Sequence, residues 1–320
     1  MCAIISHFDM NKMLDICVGI CHSKGMNKLP LQTRVQILGM LCEGSSMRSI
    51  SRVADVSINT VSKLLVDAGK ACAAFHDAKV RGVKARRVQV DEIWSFTAAK
   101  QKNVAGMKQP VDGAGDTWTW TAIEADTKLL ITWLVGGRNI EYAVPFLADL
   151  KERLIGNFQL TSDGLQIYLG GVEEVFGDDI DYAMLVKIYG HPQTGAQTRY
   201  SPAPCLGARK IPIKGRPDPT HVSTSFAERQ NLTMRMHMRR FTRLTNAFSK
   251  KFENHMHMVA IYTVWYNYVK QHKSLKGISP AMAAGISDTL WSVTDMAEMI
   301  DATLPKPGPR GPYKARENSN

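Results

Sequence analysis

The 320-residue chain contains no run approaching the roughly 18 consecutive apolar residues that a membrane-spanning helix requires, which argues against an integral α-helical membrane protein. Its six cysteines (2, 17, 21, 42, 72 and 205) include no Cys-x-x-Cys pair. A disulfide scaffold is therefore not expected, and reduced thiols in a cytoplasm are. Cys17, Cys21 and His22 resemble half of a zinc site, but no second half with recognisable spacing follows, so they read as ordinary thiols. Asp9 and Asp15 interrupt the N-terminal segment, which does not have the form of a signal peptide. Acid is scarce: 40 Lys and Arg stand against 29 Asp and Glu, giving a net charge of +11 and a pI near 9.4. Such an excess attracts polyanions, although ribosomal or merely cationic proteins share it. With 44% hydrophobic and 22% charged residues, the composition is that of an ordinary soluble globular protein with room for two or three domains.

Residues 1–25 carry neither a helical nor a strand period, and Met26-Asn27-Lys28 before a well-patterned helix looks like a second start. The first segment reads as a dispensable extension. From Leu31 to about Ala74, apolar positions at Val35, Leu38, Leu41, then Ile50, Val53, then Val61, Leu64 and Leu65 recur at helical spacing in three blocks. They predict a small all-α unit over 26–78, with helices at Met47–Ala54 and from Ile58 to about Asp67. The layout is that of a helix-turn-helix whose last helix enters the major groove. Ser57, Asn59, Thr60 and Lys63 are placed to reach bases and phosphates, with Arg48 and Arg52 for the backbone. A helical bundle with merely solvated polar residues is the plainer alternative.

A basic linker at 79–86 leads to a change of period. Arg87–Thr97, Thr117–Glu124 and Leu129–Val135 alternate as strands, the last two joined by AlaAspThrLys as a hairpin. A helix follows from about Glu141 to Leu154 with Asn139 as its cap, then strands at Phe158–Ser162 and Tyr182–Tyr189. This order predicts an α/β fold: a ribonuclease-H-like mixed five-stranded sheet flanked by helices, over 87–300. In that order the first and fourth strands lie side by side, which brings Asp91 and Asp163 together. Strand alternation puts Asp91 and Glu92 on opposite faces, so Asp91 is the expected site residue and Glu92 is left without a role. Turn and strand-end acids are the commonplace reading of both, especially for Asp163 before Gly164.

Between residues 190 and 220 a basic stretch rich in Pro and Gly reads as a long insertion, either solvated or laid along phosphates by Lys187, Arg199, Arg209, Lys210, Lys214 and Arg216. His191 and His221 are the nearest histidines and read as surface or structural groups. A helix is then expected from Thr224 to Lys251. It carries Glu228 followed by seven cations (Arg229, Arg235, Arg239, Arg240, Arg243, Lys250, Lys251) with no balancing acid before Glu253. Glu228 and Arg235 fall on one helical face. Three carboxylates at Asp91, Asp163 and Glu228 suit a shared divalent cation, because such groups are costly to gather without one. Residues 301–320 read as a disordered basic tail.

The motifs ValAspGluIleTrpSerPhe, GlyAspThrTrpThrTrpThrAlaIle, AlaAspThrLysLeu, SerAspGly and ThrSerPheAlaGluArgGlnAsnLeuThrMetArgMet, taken in order, resemble the DDE transposases of bacterial insertion sequences. The likeness is to the insertion sequence one family, in its longer branch headed by a helix-turn-helix, and extends over about residues 26–300. It implies that Asp91, Asp163 and Glu228 are the catalytic metal ligands, with Asp91 bridging two Mg²⁺ ions for which Mn²⁺ can substitute. It implies that Arg235, seven residues after the Glu, contacts DNA together with Arg239, Arg240 and Arg243. It further implies cleavage at terminal inverted repeats, strand transfer into target DNA, a homodimer or higher homo-oligomer on DNA, and a bacterial, nucleoid-associated location. The zinc-binding head of some members has no counterpart here. Two rivals use the same residues differently: a helix-turn-helix transcription regulator, and a ribonuclease-H-type nuclease or resolvase without strand transfer. Short inverted repeats flanking the coding sequence are expected for a transposase and for neither rival.

Overall fold

The computed structural model describes residues 28–109, 111–190, 203–242 and 245–303. The expected extension, His191, Arg199, Arg243 and nearly all of the expected tail lie outside them. Three helices open the described chain: α1 Leu31–Cys42, α2 Met47–Val53 and α3 Ile58–Lys79. Serine hydroxyls start two of them. Ser46 Oγ accepts from Ser49 N at 3.1 Å and Ser57 Oγ from Asn59 N at 3.2 Å, satisfying amides that lack helical partners. Ile37, Leu38, Leu41, Ile50, Val61 and Leu65 supply the buried faces.

Helix α3 runs well past Asp67, where it was expected to end. No glycine–proline cluster interrupts it, and Ala68, Gly69, Ala71 and Cys72 continue a buried face of small residues. That face admits helix α7 (Phe252–Val264) at close range: a Cβ on Gly69 would stand 2.3 Å from His257 Cβ. Helices α1–α3, α7 and α8 (Val293–Thr303) thus share one apolar core with Met234, Met238 and Phe241. The expected boundary near residue 78 divides the sequence but not the packing. Part of the expected linker is itself a two-residue strand, Val83–Lys84, paired in parallel with Leu154–Ile155.

The main sheet has six strands: β1 Arg87–Thr97, β2 Gly115–Glu124, β3 Leu130–Gly136, β4 Gln159–Asp163, β5 Asp181–Tyr189 and β6 Cys205–Lys214. Their spatial order is β3-β2-β1-β4-β5-β6. The β1/β2, β2/β3 and β5/β6 pairs are antiparallel, and β1/β4 and β4/β5 are parallel. Five strands were expected, and the sixth lies in the segment read as an insertion. Its signal was hidden because β6 is an edge strand exposed on both faces, so it lacks apolar alternation and tolerates Gly207, Pro212 and charged Arg209, Lys210 and Lys214.

Helices α4 (Ile140–Arg153) and α5 (Ile167–Phe176) cover one face of the sheet. Val88, Val90, Trp120, Phe146, Leu147, Tyr168 and Val172 form a second core there. Arg153 is buried within it and donates to Asp149 at 2.6 Å, Asp77 at 2.7 Å and the Val80 carbonyl at 3.1 Å, which ties the end of α3 to α4. The opposite face receives α6, Ser225–His237. The helix expected to reach Lys251 ends at His237, and Arg239–Phe241 form a separate 3-10 turn. No glycine or proline marks the break. It falls where α6 meets the end of α1: His237 Nδ1 lies 3.0 Å from the Cys42 carbonyl, and Gly44, at φ +73°, passes so near Met236 that a Cβ would stand 2.9 Å from its carbonyl oxygen. A tertiary contact, not a local one, ends this helix.

No helix among the described residues is long and apolar enough to cross a membrane. The close α3–α7 crossing yields a test of packing. Gly69→Ala is expected to lower stability by about 1–3 kcal/mol through overpacking. In urea denaturation the far-ultraviolet and tryptophan signals should shift together, because both helices belong to one core; unchanged stability would contradict the crossing.

Candidate metal centre

Strand β1 carries Asp91 at mid-length, paired with Thr121 of β2. Gln89, two residues earlier on the same face, accepts the Phe226 and Ala227 amides with Oε1 at 2.8 and 3.2 Å. These amides belong to the first turn of α6 and have no intrahelical acceptor, so Gln89 docks the helix start beside Asp91. Glu228, in the same turn, is thereby delivered to the Asp91 side of the sheet. One helical turn further, Asn231 Nδ2 donates to Asp91 Oδ2 at 2.8 Å. Asp163 ends β4, where its Oδ1 accepts Leu165 N at 2.9 Å and so closes the strand with its own side chain.

Single ligand oxygens of Asp91, Glu92 and Asp163 all lie within 4.8 Å of one another. The meeting of Asp91 and Asp163 accords with the expected strand order. Glu92 departs from the alternation argument. Strand β4 stops at Asp163 while β1 continues to Thr97, so beyond that point no β4 residue separates the two faces and the Glu92 carboxylate reaches the cluster. It is held from the α5 side: Arg138 donates to Oε1 from Nε at 2.9 Å and from Nη2 at 2.5 Å, and Tyr168 Oη donates to Oε2 at 3.1 Å. Arg138 also lies over the Trp118 ring, 4.4 Å from its centroid.

Glu228 stands outside this group. Its Oε2 is 2.6 Å from Lys187 Nζ on β5, and its Oε1 accepts Thr224 Oγ1 at 2.5 Å. Asn231, Arg138 and Tyr168 were not singled out in the sequence as parts of a site, and Lys187 was read only as a phosphate contact of the basic stretch, not as a partner of Glu228. For Asn231 the signal was available, since position 231 follows Glu228 by one helical turn. For Arg138 and Tyr168 it was not, because only tertiary packing brings them to Glu92.

The electrostatics favour a cation. The donors to Asp91 and Asp163 are neutral amides. Burial, with Glu92 and Asp163 adding to it, raises the Asp91 carboxyl to about 7, against the opposing hydrogen bond from Glu92 N. Burial also raises Glu92, as does Asp163, against the pull of Arg138 and Tyr168. Asn231 Oδ1 is buried with no hydrogen-bond partner, although its amide nitrogen is engaged. An all-oxygen donor set with excess negative charge and an unsatisfied amide oxygen fits a hard divalent ion such as Mg²⁺ or Mn²⁺.

The nucleic-acid candidates are placed unevenly. Arg48, Ser57, Asn59 and Lys63 are exposed, and Thr60 is half-buried. Ser57 is engaged as a helix cap, and Lys63 pairs with Asp67 at 2.6 Å. Arg235 is half-buried and engaged, whereas Arg239 is exposed. Arg240 points inward and donates to the Asn254 carbonyl, and burial lowers its guanidinium to about 10. The continuous cationic helix face expected over 229–251 is therefore broken after His237.

No protein-family model matches this sequence, and no curated protein is recognisably similar to it. Among solved structures the chain is similar to a pre-cleavage Mos1 transpososome, with 13% identity over 52% of this chain and 64% of that chain and a TM-score of 0.18. It is similar to the Mos1 strand transfer complex, with 14% identity over 49% and 58% and a TM-score of 0.17. A third likeness is to the piggyBac transposase synaptic complex with hairpin DNA, with 9% identity over 90% and 74% and a TM-score of 0.33. The chain spans less than two thirds of the two Mos1 chains. At these scores the likeness carries neither fold nor activity over to this protein.

The raised Asp91 carboxyl predicts an inverted pH dependence. Between pH 3.8 and about 7 the folded protein keeps a proton that the unfolded chain has lost. Stability contributed at this site therefore falls as pH rises through that window and levels off above it. In chelator-treated protein at pH 8, Asp91→Asn is expected to be more stable than wild type by on the order of 1–2 kcal/mol. At pH 4 the two should melt together, and millimolar Mn²⁺ should stabilise wild type alone. A less stable Asp91→Asn at pH 8 would contradict the charge balance described.

Proposed function

We propose that this protein is a DDE-type transposase of the insertion-sequence kind, cleaving DNA at the ends of its element and joining them to target DNA. The reading rests on one observation above the rest: Asp91 in the middle of β1 and Asp163 at the end of the adjacent β4, distant in sequence, present carboxylate oxygens within 4.8 Å, and Glu228 enters from a helix docked beside them. Such a convergence of acids, with charge left uncompensated, is expected where phosphodiester chemistry uses divalent ions and is unexpected in a transcription regulator.

In this reading Asp91, Asp163 and Glu228 hold two Mg²⁺ ions, with Mn²⁺ as a substitute. Bound ions supply charge that activates a water or 3′-hydroxyl and stabilises the leaving oxygen. The protein's residues do the positioning. Asn231 fixes the rotamer of Asp91 through its amide nitrogen, the turn from Asp163 to Leu165 fixes Asp163, and Arg138 with Tyr168 keeps Glu92 at the rear of the site. Glu92 adds negative charge and its remaining coordination capacity. No covalent protein–DNA intermediate is needed, and Tyr262, Tyr266 and Tyr268 are buried packing residues ill-placed to form one.

The sheet with α4–α7 serves in this reading as a ribonuclease-H-like catalytic domain, and α1–α3 as a helix-turn-helix that reads terminal inverted repeats through the N-terminal turn of α3. Arg48, Asn59 and Lys63 are the exposed candidates for that contact, with Arg235 on α6 and Arg239 on the turn after it as further candidates. Because α3 continues into the core shared with α7, the DNA-reading helix and the catalytic domain move as one, which fixes the distance between recognised and cleaved base pairs. Two such protomers pair two element ends.

The test is a strand-transfer assay with duplexes taken from the flanks of the coding sequence. Wild type with Mg²⁺ is expected to give nicked ends and joined products. Asp91→Ala, Asp163→Ala and Glu228→Ala should each lower both by at least about two orders of magnitude, the several kcal/mol that metal-borne charge stabilisation supplies. Cleavage without joined product would favour the nuclease reading, and joined product undiminished in Glu228→Ala would remove Glu228 from the site.

A further inference from the structure

Strand β5 continues past Leu185, the register partner of Asp163, and presents Lys187 two residues later on the same face of the sheet. Its ammonium takes one oxygen of Glu228 at 2.6 Å while Thr224 holds the other. The side chains of the pair are 34% and 41% exposed, so water competes for both partners and the contact adds little to the fold. It nevertheless decides where Glu228 goes, since the carboxylate bound to Lys187 is the one acid of the proposed set that does not join the cluster of Asp91, Glu92 and Asp163. A lysine is suited to a temporary contact. Its charge is compact, and its four-carbon stem allows the head to move several ångströms while the strand stays fixed.

We propose that Lys187 is a resident counter-ion for Glu228, which it yields to a divalent cation so that its own ammonium can pass to a DNA phosphate. This rests on the DDE reading above. A divalent ion at Asp91 and Asp163 repels the ammonium and attracts Glu228, so both effects separate the pair. A phosphodiester entering the site offers Lys187 a new anion, beside the cationic edge formed by Arg209 and Lys210 on β6. Without DNA, the lysine competes with the metal for Glu228; with DNA bound, that competitor is removed. Metal and DNA therefore strengthen each other's binding through one side chain, and the coupling is reciprocal. The economy is functional: a nuclease centre that binds its ions weakly until DNA arrives is less able to act on nucleic acid at random.

The experiment is a Mn²⁺ titration of the full chain, by calorimetry, with and without a short DNA duplex, on wild type, Lys187→Met, Lys187→Arg and Asp91→Asn. Wild type is expected to bind Mn²⁺ more tightly once DNA is added. Lys187→Met without DNA should already bind about three- to fivefold more tightly than wild type, as the loss of a partly exposed ion-pair competitor implies. Its further gain on adding DNA should be smaller than that of wild type. Lys187→Arg, which keeps the charge, should follow wild type, and equal melting temperatures of the metal-free Lys187 variants and wild type would confirm that the fold is not at issue. Asp91-dependent Mn²⁺ binding that Lys187→Met leaves unchanged or weakens would overturn the role of Lys187 alone. Equal Mn²⁺ binding by wild type and Asp91→Asn would remove the metal reading itself.

Discussion

The constraint on which the site depends is the cost of holding several carboxylates together in a partly buried place. Asp91 and Asp163 end up side by side because two parallel strands pair in register, and Glu92 joins them because one of those strands stops there. Neighbouring acids add to the burial penalty at Asp91 and Glu92, whose carboxyls are both raised. The protein offsets part of it with Arg138 on Glu92 and Lys187 on Glu228. The remainder is left at Asp91 and Asp163, whose donors are neutral amides. A fold that carries such a penalty gains from a divalent ion what it lacks in its own cations, and that is the physical argument for a metal centre.

The surroundings are organised to sustain this arrangement. Gln89 satisfies the open amides of α6 and sets Glu228 on the Asp91 face, so the helix is fixed to the sheet by hydrogen bonds at its first turn. At its other end α6 is fixed to α1 through His237 and Gly44. The candidate metal centre and the three-helix head are in this way connected by one short helix, reinforced by the α3–α7 crossing at Gly69. Positioning within about an ångström matters for phosphoryl chemistry, and short rigid connections provide it.

The sequence made much of this legible where the signal is local. The strand at Arg87–Thr97 alternates clearly, the hairpin after it has an identifiable turn, and the helix at Ile140–Arg153 begins beside Asn139 where a capping residue was expected. The Asp91–Asp163 pair followed once strand order was assumed. Signals that depend on tertiary structure were not legible. Alternation assigns Glu92 to the face opposite Asp91, where Arg138 and Tyr168 hold it, but does not show that its carboxylate still reaches the cluster beyond the end of β4. Strand β6 has no buried face to leave an apolar pattern. The end of α6 at His237 is imposed by α1, and the inward turn of Arg240 by the Asn254 carbonyl, so a row of arginines that looked like one cationic face is divided between α6, a 3-10 turn and the interior.

The most direct measurement of the central claim is anomalous diffraction from crystals of this protein soaked in Mn²⁺. The account predicts manganese bound by carboxylate oxygens of Asp91 and Asp163, with the Glu228 carboxylate turned from Lys187 toward the ion. Crystals that take up manganese elsewhere, or that leave the two aspartates without an ion at millimolar Mn²⁺ and neutral pH, would contradict it.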